Sequence, residues 1–225
     1  MNNSELSTEE IYQTLKGKLA SLEFKPGQLL TEKDIASYFK VSRTPIRNVF
    51  SKLERDGLIE MIPQKGALIK FLSMKDIFEI FEMRKALEGL AARHAAKNID
   101  LDALKRFEDY YKGVLKKNLL NENLQEIINF GVKFHEFIIE SADIQRIKRI
   151  LGDLRVQLGI CRIFFLNQNS TLKPSRAIQS IHEHIAIIEA FKKMDGDLAE
   201  ARMKEHITNG EKYTLSFQEA HGKEL

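Results

Sequence analysis

Two arginines in the run Val41–Arg47 have the spacing that contact with nucleic acid requires. Arg43 and Arg47 lie four residues apart, so on a helix their guanidinium groups face the same side. Each guanidinium can bind guanine O6 and N7 together or clamp a phosphate. Ser42 and Thr44 add hydroxyls at the helix start, where free backbone amides also favour an anion. The run predicts a short helix that lies against DNA.

Three histidines form a second set of residues whose types and positions could support chemistry. His135, His184 and His206 each fall on an apolar helical face. A buried neutral imidazole needs partners for its nitrogens, so three that converge need a metal, a ligand or each other. Nitrogen ligands suit zinc, nickel or related divalent ions, and three of them leave positions open for water or a small acid. The alternative is that each is a core histidine bonded to neighbouring protein groups. His94 and His221 are predicted to lie on the surface, and His182, two residues from His184, is predicted to face the opposite side of its helix.

Three further arginines lie at the edges of apolar helical stripes and are candidates for binding an acidic effector. They are Arg84, Arg155 and Arg162. A buried carboxylate without a cation or a metal is costly, so an acid-binding site needs such a group. The alternative is that Arg84 pairs with Glu88 one turn away and that the other two are solvated. Cys161 lies within an apolar stripe and is predicted to be a core residue.

Composition restricts the class of protein. The chain has 225 residues and changes pattern near Ser73, which predicts two domains, 1–72 and 73–225. A formal net charge of +3 is too small for a protein that coats nucleic acid, so any DNA contact must come from locally placed charge. One cysteine excludes an internal disulfide, and no signal peptide or apolar run of about 20 residues is present. These features predict a cytoplasmic protein.

Helix caps organise the N-terminal part of the chain. Ser7 and Glu10 have the spacing of a capping box, which predicts a first helix over the apolar positions up to Leu22. Thr31 caps a short second helix, and a third is predicted from about 43 to 56. Gly57 is expected to adopt the left-handed conformation just after that helix.

A predicted hairpin follows these helices. Two strand-like runs, 58–62 and 67–71, flank a polar turn. Three short helices and a hairpin make a winged helix-turn-helix, in which the third helix enters a major groove. Lys33 and the wing tip, Lys65 and Gly66, then flank the two arginines. Two alternatives are a solvated helix face with no ligand and a winged helix that binds protein.

The remaining sequence has a helical pattern throughout. Alternating apolar spacings of three and four residues predict six amphipathic helices, enough for an all-α bundle with an enclosed core. The fold class is therefore mostly α, with a small β-hairpin confined to the first domain. The predicted helices begin near Ser73, Asp100, Leu124, Asp143, Ile178 and Asp197, and the fourth of these is expected to extend to Leu166.

The N-terminal motifs resemble a known family. From Ile11 to Phe71, the runs Val41–Arg47, Leu53–Leu58 and Lys65–Ala67 are similar to the DNA-binding domain of GntR-type bacterial transcription regulators. The chain has Asn48 where most members have an acid, a change that should alter operator preference. The resemblance implies operator contacts from Lys33, Arg43, Arg47, Lys65 and Gly66.

The C-terminal motifs resemble the FCD effector domain of the FadR-like subgroup of that family. They are Phe81–Ala92, Lys133–His135, Glu183–His184 and Glu205–His206. Members commonly hold a divalent metal with an Asp or Asn one turn before the first of three histidines, and bind small organic acids over it. Here Gly131 occupies the acid position. The resemblance thus implies a metal held by three histidines plus water or effector, or a weakened site.

The combined expectation is a homodimeric transcription regulator. The helical domain would dimerise, the winged domains would read two halves of a palindrome, and a bound acid would favour one spacing of the recognition helices. Two alternatives use the same histidines. A metal-dependent hydrolase would use them to activate water, and a direct metal sensor would need no organic effector.

Overall fold

The structure is a computed structural model that describes residues 6–21, 23–117, 124–152, 154, 157 and 174–221. The chain divides into two compact units. The first comprises Met1–Ser73 and Asp153–Gln168, and the second comprises Met74–Gly152 and Asn169–Leu225. Among the described residues, no helix is both long and apolar enough to span a bilayer.

The fold is mostly helical, with one small sheet in the first unit, as predicted. The helices of the first unit are α1 (Thr8–Ala20), α2 (Glu32–Phe39) and α3 (Arg43–Arg55). Its strands are β1 (Leu29–Leu30), β2 (Ile59–Ile62) and β3 (Gly66–Ile69). The second unit contains α4 (Met74–Ala95), α5 (Leu101–Lys117), α6 (Leu124–Ser141), α7 (Pro174–Lys192) and α8 (Gly196–His221).

The predicted caps are present at two of the three helix starts in the first unit. The Ser7 side chain accepts from the Glu10 backbone amide, and the Glu10 carboxylate returns the bond, which completes the capping box of α1. Thr31 caps α2 in the same manner through the Asp34 amide. Ser42 occupies the N-cap position of α3, but its hydroxyl makes no capping hydrogen bond. The Ser42 hydroxyl and the first backbone amides of α3 are thus not hydrogen-bonded to each other.

The end of α3 is fixed by a left-handed glycine. Gly57 has φ +71°, and the amide of Leu58 donates to the carbonyl of Leu53 at 3.0 Å. This is the Schellman arrangement expected for a glycine at this position.

The sheet has three antiparallel strands in the order β1-β3-β2, so the predicted hairpin was incomplete. β1 pairs Leu29 with Leu68 and Leu30 with Ala67. A two-residue strand is too short to produce an alternating pattern, and its place in the sheet depends on β3, nearly forty residues later in the chain. The predicted run 67–71 is also shifted, because β3 begins at Gly66 and ends at Ile69.

The core of the first unit holds α3 by one face. Ile46, Val49, Phe50 and Leu53 are fully buried, and burying each such side chain contributes about 1.5–3 kcal/mol. They pack in one cluster with α1, the other helix-turn-helix residues and the sheet. Because this stripe faces inward, the opposite face of α3 carries Arg43 and Arg47 outward.

The second unit is a helical bundle in which α4 packs extensively against α8 and α7 also packs against α8. The helix predicted from Asp143 to Leu166 is helical over residues 145–152 and at 154 and 157. Its predicted start is two residues early, because Asp143 lies in a turn with φ 51°. The rest of that prediction lies outside the described residues, as do Leu22 in the first unit and Cys161. Buried residues from several helices form the bundle core, including Ile77, Tyr111, Phe134, Ile188, Phe191 and Met203.

Candidate nucleic-acid interface and metal centre

Five of the seven predicted DNA-contacting residues line one groove in the first unit. The groove lies between the starts of α2 and α3 and the turn that joins β2 to β3, and it includes Lys33, Arg43, Arg47, Lys65 and Gly66. The other two, Ser42 and Thr44, lie at the N-cap and the second residue of α3. Basic groups therefore approach the groove from three elements, with hydroxyls at the start of the central helix.

Arg47 is oriented by an acid that the sequence reasoning did not identify. Its Nε donates to both carboxylate oxygens of Glu32 at 2.9 Å. The Glu32 carboxylate raises the pKa of Arg47 through these hydrogen bonds, and the Arg47 side chain remains 66% exposed. The Arg43 side chain is exposed and forms no hydrogen bond to another described side chain. Glu32 begins α2 beside the cap Thr31, so its position near α3 follows from the helix-turn-helix packing.

The wing is joined to β1 by close backbone contact at Gly66. This residue has φ +131°, and a Cβ added there would lie 2.3 Å from the carbonyl oxygen of Leu30. Gln64 also has a positive φ, 64°, and the Lys65 amide closes the turn on the carbonyl of Ile62 at 3.0 Å. Gly66 thus has a conformational role in addition to its predicted place in the interface.

The three predicted histidines converge in the second unit. His135 comes from α6, His184 from α7 and His206 from α8, and their candidate ligand atoms all lie within 4.8 Å of one another. The Nε2 atom of His135 is 3.1 Å from Nε2 of His206 and 3.3 Å from Nε2 of His184. The rings are largely buried: His184 is 4% and His206 is 8% exposed.

One buried carboxylate, Glu88, and one partly buried carboxylate, Glu183, contact the outer nitrogens of this cluster. His135 Nδ1 lies 2.6 Å from Glu88 Oε2, and His206 Nδ1 lies 2.7 Å from Glu183 Oε2. A carboxylate accepts, so each Nδ1 carries a proton, and in the neutral form of each ring Nε2 then presents a lone pair toward the cluster centre. These contacts are also compatible with the alternative of core histidines bonded to neighbouring protein groups.

The electrostatic surroundings keep the carboxylates charged and His206 neutral. Burial lowers the pKa of His206 to about 4, although the bond to Glu183 opposes this shift. Burial alone would raise the pKa of Glu88, but Arg84 and His135 lower it well below the usual range. The pKa of Glu183 is also lowered, because the bonds and charges of His206 and Arg176 outweigh its burial.

The nitrogen geometry fits a divalent metal ion. Two histidine nitrogens bound to a tetrahedral zinc at about 2.0–2.1 Å lie about 3.3 Å apart, which matches the spacings of 3.1 and 3.3 Å at His135. Gly131 supplies no fourth ligand, and a Cβ added to it would lie 3.2 Å from His184 Cε1. Asn129 is exposed on the same helix. Among the described residues, the three histidine nitrogens are therefore the candidate metal ligands.

The predicted effector-binding arginines have different outcomes. Arg84 is buried, and its Nε donates to Glu88 Oε1 at 2.5 Å, so the predicted alternative of an i,i+4 pair is present. Arg155 and Arg162 lie outside the described residues. His94 and His182 are exposed, as expected.

Sequence reasoning missed the groups that support the histidines. Arg176 donates from Nη1 to Glu183 Oε2 at 3.0 Å, and Asn209 donates to the other oxygen at 2.8 Å. The ring of the fully buried Tyr111 lies 5.2 Å, centroid to centroid, from that of His184. One signal was available: Arg176 and Glu183 are seven residues apart, which places them on one face of α7 two turns apart.

Comparison with known proteins identifies both units. Residues 7–69 match the family described as bacterial regulatory proteins, gntR family. Residues 79–209 match the FCD domain, which covers more than half of the chain. The chain belongs to the GntR family, with an FCD domain. The resemblance inferred from its motifs is thereby confirmed.

Relatives along nearly the whole length support this assignment. The HTH-type transcriptional regulator YdhC of Bacillus subtilis (strain 168) is 30% identical over 200 residues, covering 89% of this chain and 87% of that protein. The HTH-type transcriptional repressor RspR of Escherichia coli (strain K12) is 26% identical over 209 residues, covering 92% and 88%. The solved structure of E. coli McbR/YncC shares the fold, with a TM-score of 0.74, 20% identity and coverage of 92% and 96%.

Membership of the GntR family excludes one of the two sequence-based alternatives, the hydrolase. The chain is a transcription regulator and not an enzyme, so the histidine cluster is not the centre of a hydrolase. The GntR and FCD matches together also account for the groove in the first unit and the bundle in the second.

Proposed function

We propose that this GntR regulator controls transcription by binding operator DNA with an affinity set by a small organic acid. The acid binds over a divalent metal held by His135, His184 and His206. The observation that carries the proposal is the set of three Nε2 atoms, of which two lie 3.1 and 3.3 Å from that of His135.

The metal half of the proposal rests on lone pairs that face one another. Glu88 and Glu183 each accept from an Nδ1–H, so in the neutral rings of His135 and His206 the inward-pointing Nε2 atoms are unprotonated. Two lone pairs at 3.1 Å repel unless a positive charge lies between them. Zinc or nickel suits a nitrogen set of this kind. When bound, such an ion acts as a Lewis acid toward an anionic oxygen.

The effector half rests on the number of protein ligands. Three histidines leave at least one coordination position for water or a carboxylate oxygen, and Gly131 contributes no side chain to fill it. Arg84 lies behind Glu88, close enough to hold that carboxylate. Arg155 and Arg162 remain predicted effector ligands.

The DNA-binding half rests on the groove of the first unit. In our proposal, α3 enters the major groove, and Arg43 and Arg47 contact base edges or phosphates. Ser42 and Thr44 bind a phosphate at the helix start, and the wing contacts the flanking backbone. The full set of proposed contacts is Lys33, Ser42, Arg43, Thr44, Arg47, Lys65 and Gly66.

A homodimer completes the mechanism. Two copies joined through the helical units would present two recognition helices to the halves of a palindrome. The acid changes operator occupancy only as far as it binds one spacing of those helices better than another.

The DNA assignment is tested with Arg47→Ala. Duplexes selected from a random library by the wild-type protein serve as probes in gel-shift titrations. Arg47→Ala should abolish specific retention, while Arg55→Ala, an exposed arginine on the same helix but outside the groove, should bind nearly as well as wild type. Unchanged binding by Arg47→Ala would remove α3 from the proposed interface.

The metal assignment is tested by elemental analysis of protein purified without an affinity tag. We expect about one zinc or nickel per chain, lost in the His135→Ala, His184→Ala and His206→Ala variants. The exposed His182→Ala serves as the control. Addition of a chelator without acid then separates an acid-responsive regulator from a direct metal sensor, since only a direct sensor changes its operator affinity when metal alone is removed.

A further inference from the structure

Arg176 is a buried cation at the histidine cluster that the proposed function does not yet use. Its Nη1 donates to Glu183 Oε2, which in turn contacts His206 Nδ1. Its side chain is only 10% exposed. Among the described residues, Nη1 is the only Arg176 nitrogen that makes a hydrogen bond. Its Nη2 therefore remains available for an anion.

A second arginine is arranged in the same order on the opposite side of the cluster. Arg84 Nε donates to Glu88 Oε1, and Glu88 Oε2 contacts His135 Nδ1. The cluster thus has two chains of the type arginine, glutamate, histidine. Within the described part of the chain, each arginine is joined to its glutamate through one nitrogen, and the planar guanidinium has further donors.

The charges of the two arginines, the two glutamates and the histidines no longer sum to zero once a divalent ion is added. Arg84 and Arg176 balance Glu88 and Glu183, and the neutral histidines add nothing. The next buried acid, Glu211, is paired with Lys85 at 3.1 Å. The ion's own charge of 2+ is therefore left uncompensated in a buried site, where an unpaired charge is costly. A bound monocarboxylate would neutralise half of it.

The positive groups are also separated along α8. Gly210 lies one helical turn after His206, which corresponds to a rise of about 6 Å. A Cβ added at Gly210 would lie 3.7 Å from Arg176 Nη2 and 3.6 Å from Phe81 Cε1. A Cβ at this position would thus be in ordinary van der Waals contact with both groups, so the glycine leaves space of about one methyl group beside Nη2. Nη2 lies beside Gly210, one turn beyond His206 on α8, and Nη1 of the same guanidinium donates to the Glu183 oxygen that contacts His206 Nδ1.

We infer that the effector is a short-chain dicarboxylate, with one carboxylate at the metal and the other bound by Arg176. This inference rests on the proposed function and names the class of its ligand. Two carboxylates on a short carbon chain match both the charge of the site and the separation of its positive groups. The oxygens of a single phosphate are too close together to reach both.

The test compares ligand pairs that differ in one carboxylate. Zinc-loaded protein is titrated calorimetrically with malonate, succinate and glutarate, and with propionate, butyrate and valerate as their single-carboxylate counterparts. Inorganic phosphate serves as a dianion of short span. We expect the best dicarboxylate to bind at least about tenfold more tightly than its counterpart and than phosphate. Chelation of zinc should remove the binding.

Variants then test the assigned arginine. Arg176→Gln should weaken binding of that dicarboxylate about tenfold or more while binding of the single-carboxylate counterpart changes little, because only the second carboxylate loses its partner. Arg176→Lys, which keeps the charge, provides a second folded variant. Arg202→Gln is the matched control, since Arg202 is exposed on α8 and pairs with Glu205. Zinc content is measured for every variant.

The outcomes distinguish failure of the dicarboxylate inference from failure of the proposed function. Equal affinity for dicarboxylates and monocarboxylates at full zinc content would overturn the dicarboxylate inference and leave the metal-dependent acid sensor intact. Unchanged dicarboxylate affinity in zinc-loaded Arg176→Gln would overturn the role of Arg176. Wild-type protein that binds no metal would overturn both the proposed function and the inference built on it.

Discussion

Single carboxylates determine which ring nitrogens of the histidine cluster face its centre. Glu88 and Glu183 hold the Nδ1 protons of His135 and His206, which leaves the Nε2 lone pairs directed inward. The same carboxylates were not identified from sequence, because an acid beside a histidine in space need not be beside it in the chain. The histidines themselves could be predicted, since each interrupts an apolar helical face.

The lowered pKa of His206 predicts a loss of stability in mild acid. Its pKa is about 4 in the folded protein and about 6.5 when unfolded. Between these values the unfolded state binds the proton and the folded state does not, so the unfolding free energy falls as pH drops below 6.5. Metal-free protein should lose about 3 kcal/mol by pH 4. Urea denaturation series at successive pH values measure this loss.

A matched pair of variants isolates this contribution. His206→Gln should show a shallower decline between pH 6.5 and 5, while the exposed His182→Gln should follow wild type. Below pH 5, Glu88 and Glu183 add to the decline, because their lowered pKa values contribute stability that is lost on protonation. An equal slope in His206→Gln and wild type would exclude His206 as the source.

Tyr111 provides a test of side-chain burial. It is fully buried, and its hydroxyl finds no hydrogen-bond partner among the described residues. Tyr111→Phe removes an unsatisfied polar group and keeps the ring, so the unfolding free energy should rise by about 1 kcal/mol. Tyr110→Phe, which removes a long hydrogen bond to Glu126, should not be stabilising. A loss of stability in Tyr111→Phe would show that the hydroxyl has a partner in solution.

At the level of elements, the sequence predicted those features of the helices that neighbouring residues in the chain determine. The capping box of α1, the Thr31 cap of α2, the glycine after α3 and the apolar stripes indicated starts, ends and inward faces of the helices. β1 was missed because two residues carry no periodicity and its pairing is set by β3. Arg176 was missed for a similar reason: its relation to His206 depends on how α7 packs against α8.

The wing offers the sharpest test of an element. Gly66→Ala places a methyl group 2.3 Å from the Leu30 carbonyl at a positive φ, so the first unit should lose at least about 2 kcal/mol. Gly113→Ala is the control, since nothing lies within 4 Å of a Cβ added in that helix. It should gain about 0.5–1 kcal/mol. Thermal unfolding measures both, and a neutral Gly66→Ala would contradict the close contact.

At the level of the whole molecule, the two units separate the two proposed binding events. The first contains the groove and the core around α3, and the second contains the histidine cluster. Their division into compact units means that ligand binding at the cluster can be followed separately from folding of the winged helix.

Hydrogen exchange measured with and without zinc should reveal that separation. Ligands that bind only the folded state stabilise it by mass action, and the histidines tie together α6, α7 and α8. Zinc should therefore slow amide exchange in those three helices and leave α1 largely unchanged. The variant with all three histidines changed to alanine should show no zinc effect. Slower exchange in that variant would mean that zinc binds elsewhere.

The contact between Gly66 and Leu30 also bears on how operator recognition can diverge. The wing is held against β1 by main chain, and β1 leads directly into the cap of α2, so backbone contacts set the wing side of the groove. Residues on its rim, such as Lys33, Arg43 and Lys65, can then be exchanged by mutation while the scaffold persists. Descendants of one such protein can acquire new operators through a few surface substitutions, without passing through misfolded intermediates.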